Sequence, residues 1–192
     1  MNAQLQHRPN LPGSSFLNPA DLILDFGLQP GMKVADFGSG SAHFTILLAQ
    51  TVGEGGQVTA VDILESALDV VRSKANQAGF RNIQTVRSNL EVPNSSGLGE
   101  ASQDFVLLAN ILFQSDKKAV IIKEAFRVLK SGGTAVIIDW RVDGAEGVGP
   151  DRAFRVDATQ MQTIAEEAGF LFKAPIEAGT YHYGLIFSKN GR

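Results

Sequence analysis

The chain has no cysteine, one tryptophan, two tyrosines and three histidines, and each scarcity narrows its chemistry. Without thiols there can be no disulfide, no zinc–cysteine or iron–sulfur site and no cysteine nucleophile; no metal site is expected. Basic residues do not predominate: 17 Lys and Arg stand against 20 Asp and Glu, a net charge of −3. Nucleic acid is therefore not an expected partner. No stretch approaches the roughly 20 apolar residues of a spanning helix. Met1 to Leu11 is polar and lacks the apolar core of a secretory signal, so a cytoplasmic location is expected. What is present is ordinary for a globular chain: 192 residues, 44% of them hydrophobic. That length suits one domain burying about 70% of its unfolded surface.

Residues 1–15, with Pro9, Pro12 and Gly13, read as a flexible arm, and 16–192 as a single domain. Asn18-Pro19 is a helix-start signal, predicting a helix over 19–26 that stops at Gly27. From Met32 the pattern alternates. Short apolar runs at 32–37, 57–61, 82–86, 104–109 and 134–138 predict strands, and the segments at 42–52, 64–78 and 116–129 predict helices. In the last of these helices Lys123, Arg127 and Lys130 fall on an outward stripe, most simply a solvated face. Ser131-Gly132-Gly133 is expected to end it. Asp157 with Gln160 resembles a capping box for a final helix ending at Gly169, after which 170–176 and 181–188 predict a hairpin. Strands apolar on both faces and separated by helices indicate a parallel sheet covered on two sides. The expected fold is thus a Rossmann-like α/β sheet of seven strands, mostly parallel, with an antiparallel C-terminal hairpin and helices on both faces.

The strongest local signal is Val34-Ala35-Asp36-Phe37-Gly38-Ser39-Gly40-Ser41-Ala42-His43-Phe44. It joins the first strand to a helix through a glycine turn, where the backbone can approach a ligand closely and free helix N–H groups face it. Such a turn also serves as a plain strand-to-helix connection. Asp62, about 20 residues on at the end of the next strand, stands where an acid accepts ribose hydroxyls; the same residue could cap the following helix. Together they point to a nucleoside-containing ligand. No Gly-Lys-Ser/Thr follows the glycines, so this is not the phosphate loop of nucleotide hydrolases.

With these motifs in view, residues 16–188 resemble the class I S-adenosylmethionine (SAM)-dependent methyltransferases. The block at 34–44 is similar to the family's first motif, Val58 to Asp62 to its ribose-binding strand end, and Ser88-Asn89-Leu90-Glu91 to its adenine turn. Asp104 to Gln114 matches the fourth strand and 129–133 the turn before the fifth. The small quinone-biosynthesis-like C-methyltransferases are the most similar branch. The resemblance implies SAM as cofactor. Asp36 with Gly38, Ser39 and Gly40 would hold the methionine end, Asp62 the ribose, Ile63 the adenine face, Asn89 and Leu90 the adenine edge, and Asn110 the methionine moiety. Ile63 and Leu90 have plain core packing as their alternative. Two departures stand out: Ala42 replaces the usual third glycine, placing a methyl near the cofactor or in a helix–strand contact, and Asn89 replaces the usual Asp.

The implied reaction is in-line methyl transfer to a small organic acceptor, quinol-like or lipid-like. The donor is already activated, so proximity carries most of the catalysis and a base is needed only where the acceptor must lose a proton. Candidates at strand ends are His182, Tyr183 and Asp139 for proton chemistry, with Phe113, Trp140, Arg141 and Tyr181 beside them. Alternation along an edge strand could equally turn His182 to solvent. His43 reads as an entrance residue. Trp140 and Phe16 could close an apolar pocket, and Ser14-Ser15-Phe16 and the glycine-bearing 140–156 loop could move. Absence of cysteine argues against the thiol-dependent arsenite methyltransferases. Two other readings stay open. A nicotinamide-dependent oxidoreductase also opens on Gly-x-Gly, but expects Gly or Ala where His43 stands, and the chain has no Tyr-x-x-x-Lys. A non-catalytic SAM-binding module would require a closed acceptor pocket. A homodimer through the edge strand or the arm is possible.

Overall fold

A computed structural model describes residues 17–144 and 147–190; the expected arm and Phe16 lie outside them. One seven-stranded sheet organises the chain in the order β3-β2-β1-β4-β5-β7-β6. Its strands are β1 (Lys33–Phe37), β2 (Gln57–Asp62), β3 (Ile83–Arg87), β4 (Gln103–Ala109), β5 (Leu129–Trp140), β6 (Phe170–Ile176) and β7 (His182–Lys189). The first five run parallel, while β7 is antiparallel to both β5 and β6. β7 is therefore interior and β6 forms the edge. The strand order reverses direction between β1 and β4, the place where an open parallel sheet leaves a crevice at its carboxyl ends.

Helices α1 (Pro19–Leu22), α2 (His43–Val52) and α3 (Glu65–Ala78) cover one face; α4 (Lys118–Val128) and α5 (Ala158–Glu167) cover the other. On the first face Leu22, Phe26, Leu48 and Val52 pack against Val58, Phe105 and Leu107. On the second, Ile122, Ala125, Met161 and Ala165 pack against Phe37, Leu108 and Ile137. Alternate residues of each central strand thus feed opposite cores, which is why those strands carry apolar residues on both faces.

Local signals act largely as expected. The Asn18 side chain accepts from Ala20 N, and Asp157 accepts from Thr159 N, each at a helix start. Gly79 closes α3 with a left-handed φ of 76°. Two elements differ from expectation. The first helix is a single turn, continued by a 3-10 turn over Ile23–Asp25. And 129–133 does not form a helix-ending turn. Leu129 already pairs with Gln103, while Thr134 pairs with Phe105, so residues 130–133 bulge from β5. Gly133 makes that path possible, because a Cβ there would lie 2.9 Å from Leu129 and 3.1 Å from the Asp104 carbonyl. Among the described residues no helix is long and apolar enough to cross a membrane.

Candidate active site

A cavity of about 560 Å³ opens at the carboxyl ends of β1, β2 and β4. Its glycine turn is held by the sheet itself: Gly38 N and Ser39 N donate to the Val61 carbonyl at 2.7 and 3.3 Å. Gly38 has φ 78°, and a Cβ on it would meet Ile111 Cδ1 at 2.7 Å, so close approach as well as backbone conformation requires glycine. Gly40 N donates to Asp62 Oδ2 at 2.9 Å, and Leu64 N donates to Asp62 Oδ1 at 3.0 Å. The ligand reading and the cap reading of Asp62 are compatible, since each carboxylate oxygen retains a lone pair. Ala42 sits at φ 65° immediately before α2. Its methyl is buried with Ala60 and Val71, so of the two places it could occupy, it takes the helix–strand contact.

Asp36, near the end of β1, is 2% exposed, and its Oδ2 accepts from Thr45 Oγ1 at 2.6 Å. Burial pushes its carboxyl up to about 6, against the Thr45 hydrogen bond, with Asp62 adding to the rise. Beyond β3, Asn89 Oδ1 accepts from Glu91 N at 3.0 Å, closing an Asx turn. Ser95 Oγ donates to the Asn89 carbonyl at 2.6 Å. After β4, Asn110 adopts φ 56°, and Gln114 Nε2 clamps its carbonyl at 2.8 Å. Ser39 Oγ and Asn110 Oδ1 are buried without a hydrogen-bond partner. Buried polar atoms are rarely left so, and both belong to the lining.

All nine residues assigned to the cofactor by resemblance line this one cavity: Asp36, Gly38, Ser39, Gly40, Asp62, Ile63, Asn89, Leu90 and Asn110. Leu90 is also part of the core, whereas Ile63 is 52% exposed at the rim. Phe44, Glu91, Ile111, Gln114, Ser115 and Ile121 join the lining; the first four fall inside the matched motif segments, whereas Ser115 and Ile121 have no sequence signal. Among the described residues, the lining carries the carboxylates of Asp36, Asp62 and Glu91, the imidazole of His43, and no Lys or Arg.

His182, Tyr183 and Asp139 are placed elsewhere. None lines the cavity, and neither do Phe113, Trp140, Arg141 or Tyr181. His182 is 3% exposed, lies 4.0 Å from Trp140 between ring centroids, and neither ring nitrogen has a partner. Burial, then the nearby Arg155 charge, lowers it to about 4. The Tyr183 hydroxyl is likewise buried and unpartnered, and burial, followed by Asp139 and Asp157, raises its pKa. Asp139 accepts from Phe113 N and Trp140 N at 3.0 and 2.8 Å; burial lifts it to about 6 despite those bonds and Lys118. Hydrogen bonding to Phe113 makes Asp139 an anchor for the 110–115 segment. Arg155, 8% exposed, donates to the carbonyls of Arg141, Val148 and Pro150, tying down the long loop before α5.

The solvated stripe also needs correction. Arg127 turns back to the buried Glu124 at 2.7 Å and donates to the Leu98 carbonyl at 2.8 Å. Glu124 in turn accepts from Ser96 N at 3.0 Å. Lys130 is on β5 and pairs with Asp104 at 2.6 Å. Glu124 and Arg127 are an i,i+3 pair on α4, but helical periodicity could not reveal the rest of the clamp, because Ser96 and Leu98 come from a loop. Among the described residues no cluster of His, Asp or Glu could hold a metal ion.

Comparison with known proteins gives consistent findings. A family profile described as "Methyltransferase domain" matches residues 28–170. The demethylmenaquinone methyltransferase of Listeria welshimeri is 32% identical over 113 residues, 58% of this chain and 46% of that protein. The ubiquinone/menaquinone biosynthesis C-methyltransferase UbiE of Shewanella pealeana is 34% identical over 115 residues, 59% and 45% of the two chains. The chain thus spans about half the length of the curated relatives it matches. Among solved structures, a SAM-dependent methyltransferase from Aquifex aeolicus superposes with a TM-score of 0.82 at 26% identity, covering 91% of this chain and 90% of that one.

Proposed function

The chain belongs to the methyltransferase domain family, and from that premise we propose that its cavity binds SAM and that it transfers the methyl group to a small organic acceptor, quinol-like or lipid-like. One observation carries the cofactor half. Among the described residues, three carboxylates and no Lys or Arg line the cavity, and one of them, Asp62, is fastened to the glycine turn. SAM brings a sulfonium and an ammonium against one carboxylate, a net positive charge that suits that field. A dinucleotide would press two phosphate charges against it, which disfavours the nicotinamide reading.

The residues present fit the cofactor. Asp62 would accept the ribose hydroxyls, Ile63 would cover the adenine face, and Asn89 and Leu90 would frame the adenine edge. Asp36 and the Gly38–Gly40 backbone would take the methionine end, where the buried Ser39 Oγ and Asn110 Oδ1 would gain the partners they lack. When bound, SAM supplies an activated methyl that an acceptor atom takes in line as the carbon–sulfur bond breaks. The protein's part is alignment. Leu17, Phe44, Ile111 and Ile121 give the lining apolar walls, favouring an uncharged acceptor; the names of the curated relatives favour a quinol-like one. Proton transfer by His182, Tyr183 or Asp139 is not part of this reading, because their side chains lie outside the cavity. Asp139 instead holds Phe113 and, through it, the wall formed by Ile111 and Gln114. The protein would act in the cytoplasm, without nucleic acid. Pairing of two copies through β6 is disfavoured by the bulge at Lys173 and by Pro175, which offers no N–H.

Calorimetric titration tests the cofactor half: SAM and its demethylated product should bind at one site per chain, and NAD should not. Tight NAD binding without SAM binding would overturn the reading. Incubation with labelled SAM and 1,4-naphthohydroquinone should place label on the ring. Bound SAM with no transfer to this or to a panel of phenols would favour the non-catalytic module.

A further inference from the structure

The strand order sets where each part of a ligand in the cavity must lie. Asn89 follows β3, Asp62 ends β2, Asp36 is near the end of β1 and Asn110 follows β4. These strands are successive neighbours, so a ligand with its adenine at Asn89 and its ribose at Asp62 brings the group beyond the ribose over β1. In SAM that group is the sulfonium. Asp36 pairs in register with Ala60 and Leu107 and has Thr45 as its one side-chain donor. The titratable groups sharing its cavity are Asp62 from β2, Glu91 from the turn beyond β3 and His43 from α2; β4 brings none. Among the described residues Asp36 is therefore a buried carboxylate with no cation of its own, set beside the part of the ligand whose charge changes on methyl transfer. The donor's sulfur is positive, and the product's thioether is neutral.

Resting on the SAM reading above, we infer that Asp36 is the side chain through which the cavity distinguishes the charged donor from its demethylated product. Ionised, it attracts the sulfonium; once the methyl has left and the carbon–sulfur electron pair stays on sulfur, that attraction is gone. Protonated, it treats the two ligands alike. Because burial lifts its titration to about 6, acidification from pH 7 to pH 5 neutralises Asp36 in the empty site, while the ligand ammonium stays largely protonated at both values.

The test is calorimetric: dissociation constants of SAM and its demethylated product at pH 7.0 and 5.0. In the wild-type chain the ratio of product Kd to donor Kd should fall about tenfold on acidification, the order expected of one partly screened charge pair at close range. In Asp36→Asn the ratio should be the same at both pH values and about tenfold below the wild-type ratio at pH 7. Thr45→Val keeps the carboxyl and deletes the donor that lowers its pKa, so the fall should move to higher pH. A wild-type ratio independent of pH, or an Asp36→Asn ratio equal to that of the wild type, would overturn the inference while leaving SAM binding intact. No SAM binding to the wild-type chain would instead overturn the cofactor reading, and this inference with it.

Discussion

The carboxylate of Asp62 receives the Gly40 backbone N–H at 2.9 Å across 22 residues of chain. The same side chain receives Leu64 N–H at 3.0 Å, so the glycine turn, the end of β2 and the start of α3 share one acceptor. The site is thereby assembled before any ligand arrives, and little ordering remains to oppose binding.

From this follows the most direct prediction. Asp62→Ala should weaken SAM binding by at least about thirtyfold, since it removes charge-assisted bonds worth roughly 1.5–3 kcal/mol each and frees the turn. Calorimetry on a variant with a native circular dichroism spectrum checks it. Unchanged affinity would refute the ribose assignment.

A second prediction concerns a residue that never touches the cavity. Arg127 pairs with Glu124, whose side chain is 2% exposed. Burial alone would raise the Glu124 carboxyl, yet hydrogen bonds from Arg127 and Ser96 hold it at about 2 against an ordinary 4.5. Its folded-state pKa is depressed, so its stabilisation is present above about pH 4.5 and drains away as pH falls toward 2. Arg127→Met should cost about 3 kcal/mol near neutrality in urea unfolding. The loop from Ser88 to Ser102 would loosen, and SAM affinity should drop several-fold through the displaced Asn89–Glu91 turn.

The third prediction separates burial from catalysis. His182 packs on Trp140 with both nitrogens unpartnered and its pKa near 4. The unfolded chain binds that proton from about pH 6.5 downward, so the residue erodes stability between pH 6.5 and 4. His182→Phe should be at least as stable as wild type at pH 7 and gain roughly 2–3 kcal/mol relative to it by pH 4. Thermal unfolding across that range measures the effect. Methyl transfer should persist in the variant; its loss with SAM binding retained would return His182 to the catalytic candidates.

Much of the architecture was written in local pattern. A continuous apolar run such as Phe105–Ala109 can be buried on both faces only in a sheet sandwiched by helices, and Asn18-Pro19, Gly79 and Asp157 mark helix boundaries by their own backbone and side-chain chemistry. That the nine residues named by resemblance share one cavity has the same reason: a glycine turn and strand-end residues owe their positions to the strands they follow. What happens where elements meet sideways is another matter. Whether Arg127 reaches water or the Leu98 carbonyl, whether His182 lies on an edge or behind β6, and whether Asp139 meets a ligand or the Phe113 amide depend on neighbours far away in sequence. Periodicity records which side of its own element a residue occupies; only the packed sheet decides what stands opposite.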